Sequence, residues 1–460
     1  MVIGKEACHV WYRPGRPFAP IFFPRRPRWP LFRSSCPTRR LKPSAANWGT
    51  RGGGVSCRPA SRSARWSSSL HADRSIAAVV ADLAGAGGGP DAAPSGPAWC
   101  QARSRLPAAL WPELLARSVA RLRRLSGFDH RVFGRPLFIV DGSALSMPDT
   151  PELVDAFGYA NTRHGLSRFP VARFAVIVLA GLEAVTAWRL DPYRTSEDDQ
   201  FHRMWGALPN GSICLFDRRF CSFYNLAKLA QRGIDCVARL YQRRDPERLI
   251  LGGRRLGKSE WLVRLDLARQ LRSRYADPTL PAEVPARLIR LTFRRGTRRR
   301  RLWLVTTLLD PHRYPARTLL RLYRRRWGIE TRLASLKTTL QLNVLRSQTF
   351  RSVTAEVAAT LLAHNLVWTL IHQAAGQTAT PANRISFADA VKTVLAFSAT
   401  LRYADPRRRP ILYRFMLGQI ARRRNRYRPG RVEPRLVKRE PVRFAYLRIP
   451  RDEARQQCLS

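Results

Sequence analysis

The amino-acid sequence predicts an α/β (α+β) protein built on a mixed sheet with flanking helices. Residues 136–240 alternate between short apolar runs and amphipathic segments, which is the rhythm of strands and helices packed in layers. Two β-like runs, 172–180 and 184–190, are joined through Gly181-Leu182-Glu183 and therefore indicate a hairpin. A strongly apolar helix is expected at 354–373, where it would cover the sheet.

Composition indicates a polyanionic partner. The chain has 460 residues, enough for two to four domains, and carries 82 Lys and Arg against 32 Asp and Glu, a formal net charge of +50. Nucleic acid is favoured over a membrane surface, because no uninterrupted apolar run reaches the roughly 18 to 20 residues of a membrane span. The eight Cys form no CxxC pair, which favours a reduced, cytoplasmic protein without a zinc site.

Five regions follow one another along the chain. Residues 1–70 are basic and show no helical or strand period, so they are either a disordered DNA-binding arm or translated sequence upstream of the true start. Residues 71–135 predict helices at 72–85 and 99–125, which either bind DNA or cover the main domain. Residues 136–240 and 301–375 predict one split α/β domain around a β-rich insertion at 241–300. Residues 376–460 predict a helix and a basic DNA-binding tail.

Acidic residues follow two of the predicted strands. Leu137–Val140 ends in Asp141, and Ile213–Phe216 ends in Asp217. A third acid, Glu330, lies in a predicted helix with Tyr323, Arg326 and Lys337, and the four side chains fall within an arc of roughly 60° on one helical face. One carboxylate, two cations and a phenol on one face suit a metal ion beside a phosphate. The alternative for this segment is a solvated basic helix.

The same residues resemble a known family. The spacing of Tyr323, Arg326, Glu330 and Lys337 is similar to the signature of the DDE transposases of bacterial insertion sequences, in insertion sequence family four. Further stretches that resemble the family's blocks are Asp141–Glu152 with Ala156-Phe157-Gly158, Phe169–Arg173, Pro192–Glu197 and Arg428–Arg439. The resemblance runs from about residue 71 to 450.

The resemblance implies a ribonuclease H-like fold and a transposase that cuts DNA at the ends of its element and joins them to a target. Asp141, Asp217 and Glu330 would be catalytic and would hold two Mg²⁺ ions, or Mn²⁺, because carboxylates are the hard ligands that Mg²⁺ prefers. The implied partners are terminal inverted repeats, target DNA and a second copy of the chain in a synaptic complex at the nucleoid. The expected DNA contacts are Tyr323, Arg326, Lys337, Arg254, Lys258, Arg428 and Arg431.

One residue departs from the family pattern. Arg219 stands where the family has Gly after its second Asp, a position at which Gly would permit a positive φ or a close backbone approach. If that conformation is required, an Arg there would cost of order 1 kcal/mol. Its positive charge would also crowd the metal site. A decayed or repurposed DNA-binding protein is therefore one alternative, and a plain nuclease of the same fold is another. Other acids are expected to be solvated loop residues: Asp149, Glu152, Asp155, Glu197, Asp198 and Asp199.

Overall fold

The computed structural model describes residues 101, 105–126, 130–162, 165–266, 277–295, 298–378, 380–425, 453 and 456. Apart from the last two, these residues lie in one compact unit, Ser67–Asn425. The expectations for residues 1–70, for the helix at 72–85 and for Arg428 and Arg431 fall outside the described residues.

The described strands form one mixed sheet. The strands are β1 Leu137–Ser146, β2 Tyr159–Thr162, β3 Gly165–Leu179, β4 Ala184–Pro192, β5 Ile213–Phe216, β6 Asp235–Arg239, β7 Arg254–Gly257, β8 Glu260–Asp266, β9 Glu283–Arg295 and β10 Arg298–Thr306. Their order is β2-β3-β1-β5-β6-β10-β9-β8-β7. Strand β4 also pairs with β3, on the side away from β1. Strands β1, β5 and β6 are parallel, and the remaining pairs are antiparallel.

Ten helices flank this sheet in the described residues. They are α1 Leu110–Leu125, α2 Pro151–Phe157, α3 Glu197–His202, α4 Phe223–Gln231, α5 Pro246–Leu251, α6 Ala316–Arg324, α7 Trp327–Ala334, α8 Phe350–Gly376, α9 Phe387–Tyr403 and α10 Arg409–Arg422. A Ser, Thr or Asp side chain accepts a hydrogen bond from the first turn of α2, α3, α4, α5, α8 and α9. These caps satisfy backbone N–H groups that the helix leaves unpaired.

The sheet separates two hydrophobic cores. Successive residues of a strand point to opposite faces, so the odd-numbered residues Leu137, Ile139, Ile213, Leu215 and Val237 pack on the face covered by α6 and α7. We call this the catalytic face, because the residues that the resemblance implies to be catalytic are expected on it. The even-numbered residues of the same strands pack on the other face, against α4, α9 and α10.

Helix α8 contributes to both cores. It spans 27 residues, and an 18-residue window within it has a mean hydropathy of 1.2, so by length and composition it is the one described helix that could cross a membrane. Half of that apolar window is buried inside the protein, where Val353, Val357 and Leu361 join one core and Trp368 and Ile371 the other. Such burial is typical of a core helix.

The predicted α/β architecture is confirmed. The order β4-β3-β1-β5-β6, with β1, β5 and β6 parallel, is the ribonuclease H-like arrangement that the family resemblance implies. The hairpin predicted around Gly181 is formed by β3 and β4. Strands β7, β8 and β9 of the predicted insertion extend the same sheet through β10, while the division of the chain into five regions stays a prediction.

Candidate active site

Two of the three predicted catalytic acids lie side by side on neighbouring central strands of the sheet. Strands β1 and β5 are parallel, with Ile139 opposite Leu215. Two residues further along the chain from this pair are Asp141, still within β1, and Asp217, the first residue after β5. Because neighbouring strands are about 4.8 Å apart, this register brings the two residues to adjacent positions. Both continue the odd-numbered alternation and so belong to the catalytic face.

Backbone N–H groups hold both carboxylates in place. The amide of Gly142 donates to Asp141 Oδ1 at 2.9 Å, and the amide of Arg218 donates to Asp217 Oδ1 at 2.7 Å. Asp217 thereby caps a short 3₁₀ helix, Arg218–Phe220, which turns the chain away from the end of β5. Each carboxylate is thus oriented by the backbone N–H of the residue that follows it.

The third acid, Glu330, comes from the helical segment that covers the catalytic face. It lies in α7 and accepts a hydrogen bond of 3.0 Å from Arg326, four residues earlier. The Arg326 side chain is 10% exposed and that of Glu330 is 39% exposed. Ile329 and Leu333 of the same helix belong to the core on this face, so α7 presents Glu330 at the border between core and solvent.

The prediction of one continuous helix from Tyr323 to Lys337 is wrong. Helix α6 ends at Arg324, α7 begins at Trp327, and residues 335–339 form a π-helical turn. Between α6 and α7 the chain tightens through i to i+3 bonds, such as Arg326 N–H to Tyr323 O at 3.0 Å. The four residues therefore do not share a uniform helical phase, although Tyr323, Arg326 and Glu330 remain in contact.

Burial and charge act together on Asp141. The pKa of Asp141 is raised to about 6, chiefly because the carboxyl group is buried. The hydrogen bond from the Gly142 amide and the positive charge of Arg326 act in the opposite direction and lower this pKa. The carboxylates of Glu330 and Asp217 raise it further. All three acids therefore lie within electrostatic range of one another, and Arg326 is the cation among them.

Arg326 and Tyr323 form the polar wall of this site. The guanidinium of Arg326 lies 5.8 Å from the centre of the Tyr323 ring. Burial alone would lower the pKa of Arg326, but the Tyr323 phenol and the carboxylates of Asp217, Asp141 and Glu330 raise it above its usual value. Burial raises the pKa of Tyr323 to about 12, which keeps the phenol protonated and able to donate a hydrogen bond.

The other predicted DNA contacts lie at different places. Lys337 is half-buried in the π-helical turn, two turns after Glu330. Arg254 and Lys258 are exposed, at the start of β7 and in the turn between β7 and β8. Strand β7 is the edge of the sheet, separated from β5 by β6, β10, β9 and β8. The structure therefore does not bring Arg254 and Lys258 to the carboxylates.

The expected strain at Arg219 is absent. Among the described residues, the non-glycine positions with positive φ are Phe133, Glu183 and Gln341, so Arg219 has an ordinary backbone conformation. It lies in the 3₁₀ helix after Asp217, and its exposed guanidinium donates to Glu197 at 3.0 Å. Glycine is not required at this position, because the helical turn accepts any L-residue.

The expectation that Glu197 is a solvated loop acid is wrong. It is the first residue of α3, its side chain is 20% exposed, and it accepts hydrogen bonds from Arg173 and Arg219. Its Cγ lies 3.9 Å from the position that a Cβ would occupy at Gly142. Ser196 is the sequence signal that could have indicated this position. It caps the helix and so places Glu197 in a helix and not in a loop.

A cleft of about 1110 Å³ opens beside Glu197 and Arg219. It is larger than the roughly 300 to 1,000 Å³ of ordinary small-molecule pockets. The segment after β6 supplies Tyr241, Arg243, Arg244 and Arg248 to its wall. Acidic side chains lie between these cations, so the lining is mixed in charge.

The three carboxylates fit divalent cations by their chemistry. Carboxylate oxygens are the hard ligands that Mg²⁺ and Mn²⁺ take, and the mutual repulsion that raises the pKa of Asp141 would be relieved by a bound cation. In the part of the chain that the structure describes, no three His, Cys, Asp or Glu side chains lie close enough together to form a metal centre. In this arrangement Glu330 is hydrogen-bonded to Arg326.

Comparison with known proteins identifies the family of this chain. The family described as Transposase DDE domain matches residues 133–366. The chain is 29% identical over 318 residues to the transposase InsG for insertion sequence element IS4 of Escherichia coli (strain K12), covering 68% of this chain and 69% of InsG. It is 40% identical over 105 residues to the putative transposase InsZ of the same strain, covering 22% of this chain and 34% of InsZ.

A solved structure is also similar to this chain. The piggyBac transposase synaptic complex with hairpin DNA, determined by cryo-EM, has a TM-score of 0.37 and 10% identity to it, covering 65% of this chain and 59% of that one.

The Transposase DDE domain match spans more than half of the 460 residues, and the chain therefore belongs to that family. Within it, the likeness to InsG confirms the predicted relation to the transposases of IS4-type insertion sequences. The chain is accordingly an enzyme of transposition, which cleaves DNA and transfers strands. The family works with divalent metals.

Proposed function

We propose that Asp141, Asp217 and Glu330 are the catalytic residues and that they hold two Mg²⁺ ions, with Mn²⁺ as an alternative. The observation that carries this proposal is the register of β1 against β5, which brings Asp141 beside Asp217 on the face that Glu330 covers. Bound cations would stabilise the attacking and leaving oxygens of an in-line displacement at phosphorus.

The neighbouring polar residues are proposed to hold the DNA. Arg326 has a planar guanidinium that suits a bidentate contact with a phosphate, whereas Lys337 supplies a point charge. The buried phenol of Tyr323 is protonated and can donate to a phosphate oxygen. Arg254, Lys258, Arg428 and Arg431 are proposed to contact DNA away from the three carboxylates.

The proposed substrates are the terminal inverted repeats of an insertion sequence and a target DNA. Two copies of the chain would pair the two ends in a synaptic complex. The setting that this chemistry implies is the cytoplasm, at the nucleoid. The high net charge of +50 supports strong binding to any DNA, with an affinity that falls steeply as salt increases.

Cleavage of a linear duplex that carries the flanking inverted repeat tests this proposal. With Mg²⁺ present, Glu330→Gln is expected to reduce cutting at the repeat end by about 100-fold or more, because it removes a charged metal ligand. Glu113→Gln, an exposed residue of α1, is the matched control and should cut like the unchanged protein. Equal cutting by Glu330→Gln would contradict the assignment, and cutting without end joining would indicate a nuclease.

The same assay tests whether Arg219 disables the enzyme. Arg219→Gly is expected to leave the cleavage rate within about threefold, because the residue has an ordinary φ and is exposed beside Glu197. If the unchanged protein bound the repeat without cutting and Arg219→Gly restored cutting, the chain would be a relic disabled at its second Asp.

A further inference from the structure

A second arginine lies beside Asp217. Arg239 is the last residue of β6, which runs parallel to β5 with Phe216 opposite Ala238. The next pair in this register is Asp217 and Arg239, about 4.8 Å apart in backbone position. Asp141, Asp217 and Arg239 therefore occupy adjacent positions across three neighbouring parallel strands, in the middle of β1, just after β5 and at the end of β6.

Arg239 belongs to the catalytic face. Val237, two residues earlier, packs in the core on that face, and Ala238 packs on the other. Helix α6, whose Tyr323 is part of the site, contacts β6. The positive charge of Arg239 is one of those that lower the pKa of Tyr323 against the effect of burial. Arg239 and Arg326 thus both act on the same phenol.

The two arginines differ in what they bind. Arg326 donates to Glu330 at 3.0 Å and its charge acts on all three carboxylates. Arg239 is half-buried, and within the described residues its side chain has no hydrogen bond or ion pair. A partly desolvated guanidinium without a partner is costly to maintain, and an anionic ligand would offset that cost.

We infer that Arg239 is a further substrate-contacting residue of this enzyme, which binds a phosphate oxygen of the DNA strand on the Asp217 side of the site. The inference rests on the proposed function, since it takes the carboxylate site as the place of phosphodiester cleavage. A guanidinium there would grip two phosphate oxygens at once. During in-line displacement it would also stabilise negative charge on the non-bridging oxygens.

A binding experiment on uncut DNA tests this inference. Full-length protein is titrated, in chelator, against duplexes of the repeat end in which one phosphate near the cleavage position is replaced by an uncharged methylphosphonate. Arg239→Gln is expected to bind the natural duplex about tenfold more weakly. It should also reduce the slope of log affinity against log salt by about 0.9. Arg239→Lys, which keeps the charge, should recover part of the loss.

The decisive readout is non-additivity. At one phosphate, the methylphosphonate should weaken DNA binding by the unchanged protein. It should have little further effect on DNA binding by Arg239→Gln, because both changes remove the same contact. Arg243→Gln removes an equal charge from an exposed residue four positions later and should be additive at that phosphate. Additive effects of Arg239→Gln at every phosphate would overturn the inference, because a purely structural role gives that result.

This outcome is separate from that of the proposed function. Binding in chelator does not depend on cutting. Arg239→Gln and the methylphosphonate can therefore prove additive at every phosphate while Glu330→Gln abolishes cleavage. In that case the carboxylate assignment stands and Arg239 is only structural. Conversely, normal cutting by Glu330→Gln would remove the proposed function whatever the binding cycle shows.

Discussion

Replacing the buried Arg287 by Met should be among the most damaging single changes in this fold. Arg287 lies in β9 and is fully buried. It donates to the carbonyl oxygens of Leu308, Asp310 and Tyr314 at 2.7, 3.0 and 3.0 Å, and it forms an ion pair with Glu260 of β8. One side chain thus joins the outer strands of the sheet to the loop that enters α6.

The size of the effect follows from what Met would leave behind. Three carbonyl oxygens lose a charged donor, and Glu260, 13% exposed, loses its cation. Breaking a buried ion pair by removing one partner costs about 3 to 5 kcal/mol, which is about 150- to 5,000-fold in the folding equilibrium constant. Domains are typically stable by about 5 to 15 kcal/mol, so Arg287→Met removes a large share of the free energy of unfolding.

Urea unfolding followed by circular dichroism measures this loss. Hydrogen exchange of residues 308–322 should rise at the same time, because the loop held by Arg287 leads into α6. The matched control is Arg301→Met, which breaks an ion pair with Glu247 whose side chains are 62% and 53% exposed. Such surface pairs contribute about 0 to 1 kcal/mol. If Arg287→Met cost no more than the control, the network would not stabilise the fold.

Three further changes have expected outcomes. Arg332→Met should lower the free energy of unfolding by about 1 to 2 kcal/mol in urea titration, because it breaks the partly buried ion pair with Glu183. Burial lowers the pKa of His364 from 6.5 to about 4, so the stability that the neutral ring contributes is complete above pH 6.5 and is lost as pH falls towards 4. His364→Phe should flatten the dependence of the unfolding free energy on pH over that range. An unchanged slope would show that His364 is not the cause of this pH dependence. Gly181→Ala should destabilise by about 1 to 3 kcal/mol, since φ is +88° and a Cβ would lie 2.9 Å from a neighbouring atom; Gly206→Ala, with open space, is the thermal-unfolding control.

The parts of the site that sequence predicted are those with a local signal. Asp141 and Asp217 follow apolar runs, and burial of Leu137–Val140 and Ile213–Phe216 confirms that these runs are strands. The hydrophobic pattern of a strand depends on its own residues, so the presence of each strand can be read from the chain. The end of β1 could not, because the strand continues past Asp141 to Ser146, paired with β3. The same holds for Glu330, since the helical segment that carries it has apolar residues that face the core.

Other parts depended on contacts that no local pattern reveals. The break between α6 and α7 arises from i to i+3 bonds around Arg326, where the sequence reads as continuous helix. The conformation of Arg219 is set by the cap that Asp217 forms, so comparison with a family Gly suggested strain that does not exist. Arg239 had no signal at all, because only the register of β6 against β5 brings it to Asp217.

Charge balance gives the two arginines of the proposed site different roles. Three acids within electrostatic range repel one another, and burial raises the pKa of Asp141 to about 6. A cation engaged with the acids offsets this repulsion while no DNA is bound, and Arg326, bonded to Glu330, is such a cation. The same engagement limits what Arg326 can offer a phosphate, because its guanidinium must leave or share Glu330. A second arginine that binds no acid, as at Arg239, would meet the substrate without that cost.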